Sequence, residues 1–300
     1  MRRLSHRQWK PSLLGFGPFP HASPRMPSPS TTLPAQRPRL SACIIAFNEA
    51  DRIGDCLASL AFCDEIVVVD SFSSDATVAV AEAAGARVVQ RAFTGFRSQK
   101  AFCVEQASHD WVLCLNADER VNLELRAAIE AERDAGFNRA VGYRFARCSE
   151  YFGRFLRHGT AYPDRVLRLF DRRHGGWRGD REIHEAVTLD GPAALLKGDL
   201  LHHPYRSFLQ LLDKKQKYAR MMAEHEFGKG KRASLGKLII APSWRFIRSY
   251  VVKRGFLDGW PGLIEAFVSA NYVRQKTIML WLLQNGQPLV TPPADGNTHK

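Results

Sequence analysis

The 300-residue sequence lacks the short motifs that assign several common enzyme classes. It has no C-x-x-C pair, H-E-x-x-H, G-x-G-x-x-G or Walker sequence, which argues against zinc hydrolases, dinucleotide oxidoreductases and P-loop enzymes. No uncharged apolar run approaches the roughly 20 residues of a membrane-spanning helix, and the N-terminus has no apolar secretory core. The six cysteines lie mostly in apolar runs, which is typical of free core cysteines and predicts a reducing, cytoplasmic location.

Acidic residues are absent from the first 39 positions, and this absence reveals an uneven charge distribution. The whole chain has a formal net charge of +13. Residues 1–39 contribute +7, residues 40–200 contribute −4 and residues 201–290 contribute +10. A basic excess of this size favours an anionic partner, such as a phosphate-bearing ligand, a membrane surface or nucleic acid.

The N-terminal 39 residues contain eight prolines among serines and arginines. Such a segment buries too little apolar surface to offset the entropy of ordering, so we predict a disordered tail. A transit peptide has a similar composition, but it forms an amphipathic helix, which this proline density opposes. We also predict a disordered C-terminal tail over residues 286–300.

From Leu40 onward, short apolar strands alternate with helical segments. Strands are predicted over residues 40–47, 65–70, 87–90 and 111–115, with helices over 51–62, 74–84, 98–107 and 123–134. This alternation predicts an α/β fold with a mostly parallel sheet flanked by helices. Further strands are predicted at 141–146, 166–170 and 195–202. We expect a catalytic domain over residues 40–205 and a basic, amphipathic helical region over 206–285.

Polar side chains follow three of the predicted strands. Asn48-Glu49, Asp70 and the sequence from Asn116 to Glu119 come directly after apolar runs. Ligands of open parallel sheets bind at the carboxyl ends of the strands, so these residues are candidates for a binding site. The alternative is that they only cap the helices that follow.

One of these strand ends has a pattern suited to a divalent cation. Asp118 offers carboxylate oxygens, and Asn116 offers a neutral oxygen or a contact through water. Mg²⁺ and Mn²⁺ take such ligands together with phosphate oxygens and water. We therefore predict that Asp118 binds the metal.

Three segments in this order resemble the family 2 inverting glycosyltransferases, which have the GT-A, nucleotide-diphospho-sugar transferase fold. They are ACIIAFNEADRIGDCLASL, EIVVVDSFSSDAT and GFRSQKAFCVEQASHDWVLCLNADE. Within that family the sequence is most similar to the lipopolysaccharide-core β-1,4-glucosyltransferase branch. The resemblance covers about residues 40–285.

The resemblance implies a UDP-hexose donor, a lipid-linked saccharide acceptor such as lipopolysaccharide core, and Mg²⁺ or Mn²⁺ as cofactor. The residues that it implies in nucleotide-sugar binding are Asn48, Glu49, Arg52, Asp70, Arg97, Lys100 and Asn116. Two positions depart from the family pattern, because Asn116 stands where Asp is usual and Phe102 where a polar residue is frequent. The first departure, Asn116 in place of Asp, removes one carboxylate and so affects the affinity for the metal.

Inversion by direct displacement needs a base for the acceptor hydroxyl. The segment after Trp177 resembles the acceptor side of the family and points to Glu185 as base, with His184 beside it. The alternative is that Glu185 is an exposed acid at a strand end. Asp164 is a weaker candidate base, while Arg165 and Arg168 are candidates for binding phosphate or an anionic acceptor.

Two adjacent histidines end the last predicted strand. Because His202 and His203 must point to opposite sides of it, at most one can face the metal or the diphosphate. Both can also be structural histidines.

The basic residues of the C-terminal region are interspersed with tryptophan, phenylalanine and tyrosine. Basic amphipathic helices of this kind lie on anionic membranes. We therefore expect a peripheral protein on the inner face of the cell membrane. The alternative is that the aromatic residues form the core of a helical subdomain. Nucleic acid is not an expected partner, because no RNA- or DNA-binding motif is present. A nucleotidyltransferase and a non-catalytic membrane- or polyanion-binding module remain alternative functions.

Overall fold

The computed structural model describes residues 37–178 and 186–289. The strands are β1 (Leu40–Ala46), β2 (Glu65–Asp70), β3 (Arg87–Gln90), β4 (Trp111–Asn116), β5 (Glu119–Val121), β6 (Gly142–Tyr151), β7 (Arg154–Phe155), β8 (Asp164–Asp171), β9 (Gly175–Gly176), β10 (Thr188–Leu189) and β11 (Ala193–His202). The α-helices are α1 (Ile53–Ala58), α2 (Thr77–Ala83), α3 (Phe96–Gln106), α4 (Leu123–Asp134), α5 (Phe208–Gly228), α6 (Leu235–Ile247) and α7 (Gly259–Gln284).

The main sheet has the strand order β3-β2-β1-β4-β8-β6-β11-β5, and β7 pairs with β6. The first four strands of this order are parallel, as the alternation of strands and helices predicts. They therefore place the carboxyl ends of β1, β2 and β4 along one edge of the sheet. The α/β fold class is confirmed.

The second half of the sheet is mixed rather than parallel. β8 runs antiparallel to both β4 and β6, and β5 runs antiparallel to β11, while β6 and β11 are parallel. The prediction of a mostly parallel sheet therefore describes the N-terminal half best. The three-residue β5 escaped prediction because its hydrophobic pattern is too short to show a period.

Alternate residues of the central strand β1 pack into two different cores. Leu40, Ala42 and Ile44 face the cluster that includes α1 and α4, whereas Cys43 belongs to the cluster built on α3 and Trp177. This arrangement follows from the two-residue period of a strand with helices on both faces. All six cysteines are free, and five are buried, as the sequence predicts.

The predicted N-terminal tail extends a few residues too far into the chain. Although residues 1–36 lie outside the described part, Arg133 of α4 donates a hydrogen bond to the carbonyl of Pro38 at 2.6 Å. Arg37 also forms an ion pair with Asp134 at 2.6 Å. Residues 37–39 are thus attached to α4.

The predicted basic helical region consists of α5, α6 and α7, with a π-helical turn and a 3₁₀ turn between α6 and α7. Helix α7 is less basic than the region as a whole, and it buries Ala266, Val268 and Leu280. Some of the apolar residues therefore form a helical core, as the alternative interpretation expects. Within the described residues, none of the helices has the length and apolarity to cross a membrane.

A bulge in β11 fixes the position of this strand against α4. The register of β11 with β6 shifts between Leu195 and Asp199, and Gly198 within the bulge has φ +91°. A Cβ atom on Gly198 would lie 2.2 Å from the backbone nitrogen of Leu125. Asn122 caps α4 by accepting hydrogen bonds from the amides of Leu125 at 2.8 Å and Asp199 at 3.2 Å. The strand and the helix start are therefore joined at close range.

We predict that Gly198→Ala lowers the free energy of unfolding by more than the about 1–3 kcal/mol expected for backbone strain alone, because the new methyl group collides with the backbone of α4. Urea denaturation followed by circular dichroism measures this loss. Gly85→Ala is the matched control, since Gly85 has φ +80° but a Cβ atom added there would have no heavy atom within 4 Å. Equal losses in the two variants would contradict the close packing at Gly198.

Candidate functional site

A cavity of about 900 Å³ opens beside the carboxyl end of β4. Lys100, Asn116, Asp118 and Arg168 contribute to it from the sheet, the turn after β4 and α3, and residues of α5, α6 and α7 complete its lining. Its described lining contains nine Lys or Arg side chains and one carboxylate, that of Asp118. The cavity therefore suits a negatively charged ligand.

Two buried oxygen atoms at the end of β4 have no hydrogen-bond partner among the described residues. They are Oδ1 of Asn116 and Oδ1 of Asp118, and both residues line the cavity. Buried polar atoms are rarely left without partners, so a missing ligand is a natural explanation. A carboxylate and an amide oxygen fit a hard divalent cation. No group of three or more His, Cys, Asp or Glu side chains suited to a metal occurs in residues 37–178 and 186–289.

The two adjacent histidines point to different surroundings, as predicted for a strand. His202 lines the cavity, with its Nε2 atom 3.5 Å from Oδ2 of Asp118 and its Nδ1 atom 2.9 Å from the Ser149 hydroxyl. His203 instead pairs through Nδ1 with Glu150. The imidazole of His202 thus lies beside the Asp118 carboxylate, whereas His203 contacts Asp118 through its backbone amide, which donates to the Asp118 carbonyl at 2.9 Å.

A fully buried carboxylate organises the end of β4. Glu119 accepts hydrogen bonds from Arg147 at 3.3 Å, Arg168 at 3.4 Å and the backbone amide of Asn116 at 2.9 Å. Burial by itself would raise the pKa of Glu119, but Arg168, Arg147 and His202 lower it below its usual range. The carboxylate therefore stays charged and orients the cationic side chains next to the cavity.

Lys100 and Arg168 share one aromatic neighbour. The Lys100 Nζ atom lies 4.7 Å from the centre of the Trp177 ring, and the Arg168 guanidinium lies 5.5 Å from it. Both cations are more than nine-tenths buried and line the cavity. Lys100 therefore lies at the cavity, and its contact with a diphosphate stays a prediction.

The predicted nucleotide-binding residues of β1 and β2 take part in contacts between their two loops. Asn48 accepts a hydrogen bond from the Ser74 amide at 2.8 Å, and Asp70 accepts one from the Ser73 amide at 2.9 Å. Asp70 is fully buried. Neither residue contributes to the lining described for the cavity. These contacts connect the two loops and do not cap the helices that follow, because neither α1 nor α2 has a side-chain cap hydrogen bond. The role of both residues in nucleotide binding stays a prediction.

Two arginines join the end of β1 to the segment after β11. Arg52 donates to the carbonyl of His203 at 2.6 Å, while Arg206 donates to Glu49 at 2.8 Å and to Asp51 at 2.7 Å. Burial raises the pKa of Glu49, although the two arginines oppose this shift. Arg52 and Glu49 therefore act in the described structure as a link between distant parts of the chain.

The structure places the remaining candidates in different ways. Glu185 and His184, the predicted base and its neighbour, lie outside the described residues. Asp164 forms an ion pair with Arg147 at 2.6 Å, which makes it a weaker base. Arg165 lines the cavity, whereas Arg97 of α3 is half-buried and does not contribute to the described lining.

Several residues that line the cavity lie in no sequence motif that would predict a binding role for them. Arg147, Lys214, Lys215 and Arg245 are contributed by β6, α5 and α6. No local motif marks these positions. The three-residue spacing from Lys214 to Lys217 places both lysines on one face of α5, and this spacing is the one signal that could have identified them.

Comparison with known proteins gives one family. The family model for glycosyl transferase family 2 matches residues 41–184. The lipopolysaccharide core biosynthesis glycosyltransferase LpsC of Rhizobium meliloti is 32% identical over an alignment of 250 residues, which covers 79% of this chain and 92% of LpsC. An uncharacterized glycosyltransferase of Rickettsia felis is 27% identical over an alignment of 274 residues. This alignment covers 87% of this chain and 97% of the Rickettsia protein.

Among solved structures, residues 1–349 of S. aureus TarS in complex with UDP-GlcNAc are 16% identical, with a TM-score of 0.42 and coverage of 86% of this chain and 95% of that TarS chain. The identity and coverage of LpsC establish the relationship by sequence. The chain belongs to glycosyltransferase family 2, and it is a transferase with the α/β fold predicted for that family.

Proposed function

We propose that this glycosyltransferase moves a hexose, glucose in our expectation, from a UDP-sugar to a lipid-linked saccharide such as lipopolysaccharide core, with inversion at the anomeric carbon. The supporting observation is the pair of unsatisfied oxygens on Asn116 and Asp118 within a cation-lined cavity. The similarity to LpsC supports the choice of acceptor.

Asp118 is the proposed ligand of Mg²⁺ or Mn²⁺, and Asn116 contributes an amide oxygen directly or through water. When bound, the cation supplies positive charge that stabilises the departing diphosphate. Lys100 and Arg168 border the same cavity and add positive charge for the phosphates. The substitution of the usual Asp by Asn116 leaves one carboxylate at this position, which predicts weaker metal binding in the absence of nucleotide.

Glu185 is the proposed base that takes the proton of the acceptor hydroxyl. Its neighbours Ala186 and Val187 line the cavity, so the chain that follows Glu185 reaches the reaction space. General base catalysis of this kind typically contributes about 10²- to 10⁴-fold to the rate.

The C-terminal helices present an apolar surface that supports attachment to an anionic membrane. It consists of ten residues, each between 45% and 72% exposed: Leu235, Ile239, Ile240, Trp244, Ile247, Val251, Val252, Phe256, Leu257 and Trp260. Exposed lysines and arginines stand among them, at Lys237, Arg248, Lys253 and Arg254. Exposed apolar patches mark interaction surfaces, and a basic residue near an anionic leaflet contributes about 1 kcal/mol. We call these ten residues the apolar C-terminal surface and assign it to the inner face of the cell membrane.

The variant Asp118→Ala is expected to abolish transfer and the Mn²⁺-dependent thermal stabilisation by UDP, because it removes the carboxylate of the metal site. Differential scanning fluorimetry with UDP, with and without Mn²⁺, measures the stabilisation, and the circular dichroism spectrum checks the fold. Asp213→Ala, at an exposed position of α5, is the control and should behave as the wild type. Wild-type transfer by Asp118→Ala would refute the metal assignment.

The variant Glu185→Gln is expected to lose turnover by about 10²- to 10⁴-fold while it keeps its affinity for UDP and Mn²⁺. Transfer of radiolabelled hexose from a UDP-sugar to a membrane extract measures the turnover, and calorimetry measures the affinity. Glu105→Gln, at an exposed position of α3, serves as the control. Full turnover by Glu185→Gln would remove this residue as the base.

The double variant Ile240→Ser/Trp244→Ser is expected to lose most of its binding to phosphatidylglycerol vesicles, because two central residues of the apolar C-terminal surface become polar. Vesicle co-sedimentation measures the bound fraction, with phosphatidylcholine vesicles as the uncharged reference. The control pair Leu123→Ser/Leu195→Ser replaces residues that are 84% and 52% exposed on other elements. Equal binding by both double variants would exclude this surface as the membrane contact.

A further inference from the structure

The cavity contains more positive charge than a nucleotide diphosphate requires. Two of its basic residues, Arg147 and Arg168, form ion pairs with the buried Glu119. Lys100 and Arg168 also border the proposed position of the diphosphate. Six other cations remain in the lining: Arg144, Arg165, Lys214, Lys215, Lys217 and Arg245. A neutral saccharide would bring no negative charge to these six cations.

Four of these cations form one wall, which we call the α5–α6 wall: Lys214, Lys215 and Lys217 of α5 and Arg245 of α6. Within the described residues, no carboxylate lies within 4 Å of the charged atoms of these four side chains. Arg245 donates to the Ser269 hydroxyl at 2.6 Å, and Lys214 lies 5.5 Å from the centre of the Tyr205 ring. Lys214 and Arg245 thus contact neutral groups, and no described carboxylate forms an ion pair with any of the four cations.

Among the described acidic residues, Glu265 acts electrostatically on Lys215, and it accepts a hydrogen bond from the Ser249 hydroxyl at 2.9 Å. Burial lowers the pKa of Lys215, and the charges of Arg245 and Lys214 lower it further, while Glu265 opposes the shift. A bound anion would relieve the repulsion among these cations.

The wall lines the same cavity as Asn116 and Asp118 at the end of β4, but it comes from different elements of the fold. It is built from helices that follow the segment matched by the family model, which ends at residue 184. The sheet side thus corresponds to the proposed donor position, and the helical side is free for the second substrate.

We infer that the α5–α6 wall, together with Arg144 and Arg165, binds anionic substituents, phosphate or carboxylate, of the saccharide acceptor. This inference rests on the proposed function, because the proposed function assigns the end of β4 in the same cavity to the donor. Lysine and arginine side chains bind phosphate and carboxylate through charge-assisted hydrogen bonds. The enzyme would therefore select an acceptor that already carries acidic groups, and a phosphorylating reaction or the addition of an acidic sugar must precede this transfer.

Calorimetry on the full chain saturated with UDP and Mn²⁺ tests the inference, using glucose 6-phosphate, glucuronic acid and glucose as soluble probes. We expect glucose 6-phosphate and glucuronic acid to bind the UDP complex and glucose to bind at least about tenfold more weakly. A stronger response to one of the two acidic probes identifies phosphate or carboxylate as the preferred group. The absence of vesicles separates this site from binding to lipid headgroups.

The double variant Lys214→Gln/Lys217→Gln should weaken binding of the acidic probes by about tenfold or more and leave UDP affinity unchanged. The control pair Lys197→Gln/Lys229→Gln removes the same charge from exposed positions outside the cavity lining and should have no effect. Acidic probes that bind no better than glucose, or that displace UDP, would overturn the inference. A wild-type protein that does not bind UDP would instead contradict the proposed donor, and titration of the probes without UDP would still test the wall.

Discussion

The arrangement of the cavity depends on one buried carboxylate. Glu119 is fully buried, and it is held by Arg147, Arg168 and the backbone amide of Asn116. Removing one partner of a buried ion pair costs about 3–5 kcal/mol, because the other charge is left uncompensated. The strand that ends in Asn116 is therefore joined by electrostatics to β6 and β8, which contribute the two arginines.

This constraint explains how one short segment serves two purposes. Glu119 faces the interior and satisfies arginines, while Asp118 beside it faces the cavity with an oxygen that has no partner among the described residues. His202 approaches Asp118 because β11 pairs with β5, where His202 lies opposite Glu119. The two carboxylates thus occupy adjacent positions with different surroundings, and the binding of a metal by Asp118 is part of the proposed function.

The fold places the basic residues of the C-terminal region in two different locations. Part of the basic excess of the C-terminal region lines the cavity, through Lys214, Lys215, Lys217 and Arg245. Another part, at Lys237, Arg248, Lys253 and Arg254, borders the apolar C-terminal surface. In the proposed function, the C-terminal region contacts a membrane through the apolar C-terminal surface and an anionic acceptor through the cavity. Membership of glycosyltransferase family 2 removes the nucleotidyltransferase and the non-catalytic module as interpretations.

The sequence by itself determined the parallel half of the sheet, because β1, β2 and β4 are local apolar runs between helices, and local patterns are sufficient to predict such elements. It also determined the residues at the end of β4, since these follow their strand directly. Only the tertiary structure decided that Asp70 is enclosed by its own turn, that Arg52 reaches the carbonyl of His203, and that β8 and β5 run antiparallel. These outcomes depend on contacts between residues far apart in the chain, and the cations of α5 and α6 enter the cavity for the same reason.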